Sequence, residues 1–82
     1  MTSEDLNRLA GEVKAGLEAT GLHGAARQLA EIQGAAFATG SEWLGELGMA
    51  VRTIRGECVV PREVDGKLER IMTEVRRVWP AL

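Results

Sequence analysis

The sequence predicts an all-α protein, a small antiparallel four-helix bundle built from two packed helical hairpins. Three observations lead there. First, four segments carry apolar residues at alternating steps of three and four: Leu6, Ala10, Val13, Leu17; Leu22, Ala25, Leu29, Ile32, Ala36; Leu44, Leu47, Val51, Ile54, Cys58; and Val64, Leu68, Ile71, Val75, Val78. That mean step lays each set along one stripe of a helix. Second, no run alternates apolar and polar residues at the step of two that a strand needs for more than a few residues. Third, the breaks between the four segments hold glycine, proline and small polar residues, as helix ends require.

Helix 1 is expected from Ser3 to about Thr20. Thr2 or Ser3 caps it, Glu4 and Asp5 suit the positive end of the helix dipole, and Glu4 stands four residues before Arg8 as an ion-pair partner. Gly21 stops it, because glycine tolerates the left-handed conformation that follows a helix. Helix 2 is expected from Leu22 or His23 to Phe37 or Ala38, or only to Gly34 if that glycine breaks it. Its stripe is thin, with alanine at two positions. Helix 3 starts at Thr39 or Ser41, with Thr39 and Glu42 spaced as a capping box. Arg52 and Arg55 lie in its last turns, and Gly56 ends it. Val59 and Val60 before Pro61 are expected to be extended, since proline disfavours the helical region in the preceding residue. Pro61 then suits the first turn of helix 4, which runs to about Trp79 before Pro80 prevents continuation. Short links favour antiparallel neighbours.

The chain has 82 residues, which points to a single helical domain, 1–82. A domain of this size buries only roughly 60–65% of its unfolded surface, so a deep pocket would remove much of its core. Ten Lys and Arg against twelve Asp and Glu give a formal net charge of -2. That balance lacks the basic footprint of nucleic-acid binding, and Glu42 and Glu46 would repel phosphates from helix 3. A single cysteine, Cys58, forms no internal disulfide, and the polar start Met1–Asp5 is unlike a signal peptide. The expectation is therefore a cytoplasmic protein with no membrane contact, of bacterial type by its Ala, Gly, Val and Arg usage.

No catalytic constellation is expected. His23, the sole histidine, has no Ser, Cys or carboxylate arranged around it in sequence, and reads as a surface or capping residue. Cys58 reads as a small apolar side chain, with its exposure deciding whether its thiol is reactive. One His and one Cys cannot close a zinc site, so no metal and no cofactor are expected. The candidate protein-binding residues lie on helix 3. Ser41, Gly45, Gly48 and Arg52 form a second stripe beside the apolar one, flanked by Trp43 and Met49. Trp43, Gly45, Gly48, Met49 and Arg52 thus make a flat face for a partner, with tryptophan and arginine as common interface anchors. The competing reading is intramolecular: the glycines admit helix 1 or 2 at close range. Helix 4 has a wide stripe that includes Met72 and Trp79, and its excess suits either extra neighbours or a second copy of the chain.

The triplet Trp43-Leu44-Gly45 resembles the Trp-x-Gly turn of small secreted helical hairpin proteins of bacteria. That resemblance implies two long helices around one turn at Trp43, and export. The chain departs from the pattern at Gly21 and Pro61, which break it further, and in its end Arg76-Arg77-Val78-Trp79-Pro80, which carries no Tyr.

The functional expectation is a small non-catalytic helical interaction module, similar in size and class to immunity or antitoxin proteins. Its partner would be another protein, with a homodimer as one form. The secreted hairpin is the alternative. A dimeric ligand-binding or enzymatic domain with an interfacial site is the third reading.

Overall fold

The computed structural model describes residues 1–37 and 39–82. Four helices follow in order: α1 (Ser3–Ala19), α2 (His23–Gly34), α3 (Gly40–Glu57) and α4 (Arg62–Val78). They pack as a small all-α four-helix bundle. Each helix meets two others, α1 with α2 and α4, and α3 with α4 and α2, so the apolar stripes close on one another. No strand occurs among the described residues.

Local chemistry sets the helix ends. Thr2 caps α1 by accepting a hydrogen bond from the Asp5 amide at 3.1 Å, and the Asp5 carboxylate accepts from the Thr2 amide at 3.2 Å. These hydrogen bonds with Thr2 hold the Asp5 carboxyl below its ordinary pKa. Asp5 rather than Glu4 pairs with Arg8, at 3.5 Å. Gly21 adopts φ +81°, while its amide donates to Glu18 and the Leu22 amide to Leu17. That pairing is a Schellman motif, which few side chains other than glycine permit. α2 ends at Gly34, the shorter of the two expected boundaries, and Ala38 lies outside the described residues. At α3, Thr39 accepts from the Glu42 amide at 3.2 Å. α3 passes through Gly56 to Glu57, and Pro61 sits one position before α4 as its cap.

One core fills the bundle, with Leu17, Leu29, Leu47, Ile54, Leu68, Ile71 and Met72 as its largest buried side chains. Several stripe positions differ from the sequence expectation: Leu9 joins the buried face of α1, and Leu22 and Cys58 lie just outside α2 and α3. Ala26 replaces Ala25 as the buried alanine of α2, Ala36 lies beyond the end of that helix, and Val78 is exposed at the end of α4. Polar contacts bind the helices at their rims. Arg55 bridges α3 to Asp65 at 3.1 Å and Glu69 at 2.6 Å on α4, Lys67 reaches Glu12 at 3.2 Å, and the Gln33 amide donates to Asn7 at 3.1 Å. The hydrogen bond to Glu69 is the chief reason that the Arg55 pKa is raised.

Trp43 is placed inside the first turns of α3. The turn that the Trp-x-Gly resemblance requires at this point is absent, and four helices stand where that resemblance implies two. None of these helices is long and apolar enough to cross a membrane.

Candidate functional site

The segment after α4 organises the outer face of α3. Beyond Val78 the chain turns back, and the Leu82 amide donates to the Trp79 carbonyl at 3.0 Å. The Trp79 indole Nε1 donates to the Ser41 carbonyl at 2.7 Å, which ties this segment to the start of α3. Proline at 80 keeps the helix from continuing, so Trp79 leaves the α4 axis and lays its ring on α3.

This arrangement decides the fate of the glycine stripe. A Cβ at Gly45 would meet the Trp79 ring at 3.4 Å. A Cβ at Gly48 would lie 2.6 Å from Val75 Cγ1 and 3.0 Å from Leu82 Cδ1. Gly48, expected on the partner-binding face, is thus buried under α4 and the segment that follows it, and not under helix 1 or 2 as the competing intramolecular reading had it. Of the wide stripe of α4, Met72 is buried in the core, whereas Trp79 lies over Gly45 with 42% of its surface still exposed.

The five expected site residues therefore separate. Gly48 is interior, and Trp43 is half-buried against the core. Gly45 is half-covered by Trp79, whereas Met49, at 54% exposure, and Arg52 face outward. Between α3 and the returning segment lies an open groove of about 610 Å³. Phe37, Met49, Trp79 and Leu82 give it an apolar lining, Gly45 contributes to its wall, and Glu42 and Glu46 bring negative charge to it. The sequence reading missed Phe37, Glu42, Glu46 and the Trp79–Leu82 segment as parts of one surface. Glu42, Gly45, Met49 and Arg52 do carry a helical spacing of three, four and three, and that signal was available.

A second depression, of about 460 Å³, lies among Leu22, His23, Gln28, Ile54, Glu57 and Cys58. It brings the sole histidine and the sole cysteine to one place, which their separation in sequence concealed. Cys58 is half-buried there. Among the described residues no hydrogen bond or ion pair joins these side chains, and no group of three or more His, Cys, Asp or Glu is placed to hold a metal ion.

Compared with known protein families, with curated proteins and with solved structures, the chain matches none.

Proposed function

We propose that this protein is a non-catalytic helical interaction module that docks another protein chain on the outer side of α3. The supporting observation is the groove beside α3: an apolar lining of Phe37, Met49, Trp79 and Leu82, left open and bordered by charge. Large apolar side chains exposed together, with polar residues at the rim, are the usual composition of a binding surface. Met49 suits the centre of such a face, because its unbranched side chain adapts to the shape laid against it. Nucleic acid is a poor occupant, since Glu42 and Glu46 would face its phosphates.

The test is affinity capture from the native cells, with the wild-type chain and a Met49→Lys variant as parallel baits. Met49 is mostly exposed, so both baits should show the same helical circular dichroism. A protein retained by the wild type and lost with Met49→Lys supports the reading. Equal retention of every captured protein by both baits places the contact elsewhere and overturns it.

A further inference from the structure

The outward side of α3 carries Glu42, Gly45, Met49 and Arg52 in that order, at steps of three, four and three. These steps keep all four on one face of the helix. Reversed, the row reads Arg52, Met49, Gly45, Glu42. An antiparallel copy of α3 therefore sets Glu42 opposite Arg52 and Gly45 opposite Met49, and repeats both pairings symmetrically. Charge and size match at every position of the row.

We propose that the occupant of the groove is a second copy of this chain, docked with the two α3 helices antiparallel about a two-fold axis. This inference rests on the reading of the α3 side as a docking surface, and names what fills it. A two-fold interface must be self-complementary, and most sequences on an exposed helix are not. The intramolecular ion pairs leave the row free for such a partner. Arg55, one turn from Arg52, is committed to Asp65 and Glu69 of α4. Among the described residues Arg52, Glu42 and Glu46 enter no ion pair within the chain. Glu42 and Glu46 line the groove and Arg52 stands next to Met49 beside it, and the antiparallel copy supplies a partner for Arg52 and for Glu42, while Glu46 comes near its own copy beside the two-fold axis.

The exposed Trp79 ring is the surface on which the partner's methionine rests. The Trp79 ring lies over Gly45, 3.4 Å from where a Cβ would stand, and is anchored there by its 2.7 Å hydrogen bond to Ser41. The partner's Met49 enters beside Gly45 and rests against Trp79 and Phe37, a contact of sulfur with aromatic edges that adds to the area buried. The reciprocal insertion occurs at the other end of the same interface. Small residues on one helix opposite a large one on the next also let the two backbones approach.

The test is sedimentation equilibrium with complementary charge reversals. Wild type is expected to be dimeric at high micromolar concentration. Arg52→Glu places two acids opposite each other, and Glu42→Arg places two bases, so each variant alone should dimerise at least about tenfold more weakly. An equimolar mixture of the two variants rebuilds both pairs in a heterodimer and should recover the wild-type association. Circular dichroism checks the fold of each, and Met49→Lys serves as a second disrupting variant because Glu42 lies in the first turn of α3. A monomeric wild type overturns the proposal while leaving the capture experiment with Met49→Lys to judge the docking surface on its own. A dimer that survives Arg52→Glu and Met49→Lys with unchanged affinity places the interface elsewhere and also overturns it.

Discussion

Glycines inside the helices of this chain do different work according to what stands in front of them. Gly48 has Val75 Cγ1 at 2.6 Å from the place a Cβ would take, and Val75 is a branched side chain packed in the core. Its methyl cannot swing aside without losing that packing. Gly66, in the interior of α4, has nothing within 4 Å of the same position. The two should therefore respond oppositely to alanine. Gly48→Ala is expected to lower unfolding free energy by about 1–3 kcal/mol, the cost of overpacking. Gly66→Ala is expected to raise it by about 0.5–1 kcal/mol, because alanine is the better helix former and meets no obstacle. Urea denaturation of the two variants measures both signs. The sequence alone could count these glycines as helix costs, but could not say which were compelled, because Val75 and Leu82 reach Gly48 only through the tertiary fold.

At the scale of the element, most boundaries were legible because they are set by neighbours in sequence. Gly21 ends α1 through its own backbone and the two amides beside it, and Pro61 marks the entry to α4 by local sterics. The buried faces of α1 and α4 were readable for the same reason, as regular stripes of large side chains. The thin stripe of α2 was less so: two adjacent alanines offer the core equal bulk, and packing chose Ala26 over Ala25. The docking groove was least legible, since about half of it is the irregular segment Trp79–Leu82, whose place is set by the hydrogen bond to Ser41 and by Leu82 packing at Gly48 and the core. The cap of α1 makes a test of local chemistry. Asp5 has its folded pKa lowered by the hydrogen bonds with Thr2. A group with a depressed folded pKa contributes stability that is present above its unfolded value and lost as pH falls through the folded one. The stability supplied by Asp5 is therefore complete at neutral pH and declines in the acid range, below about pH 4. An Asp5→Asn variant should show a shallower loss of stability across that range than the wild type, in thermal melts at stepped pH. Equal slopes would remove Asp5 from the account of acid sensitivity.

For the whole molecule, size is the controlling quantity. A chain of 82 residues leaves a large share of its apolar surface outside the core, and its stability margin is correspondingly narrow. Here the core itself is continuous, linking all four helices, and the exposed apolar side chains of the α3 side collect in one groove. Association through that groove would add stability where a larger domain would add core. Unfolding is then coupled to dissociation, so the melting temperature must depend on protein concentration. Once the dimer predominates, each tenfold rise in concentration stabilises a protomer by about 0.7 kcal/mol. For a domain of this length that is about 3–5 °C in Tm. Melts followed by circular dichroism from about 5 to about 500 µM should approach this slope at the upper end of the range for the wild type. Arg52→Glu should flatten it while leaving the melting temperature at the lowest concentration nearly unchanged, because Arg52 is exposed and makes no ion pair within its own chain. A wild-type Tm that stays constant over the whole range would show that each chain unfolds alone, and that the matched row on α3 is not used by a second copy.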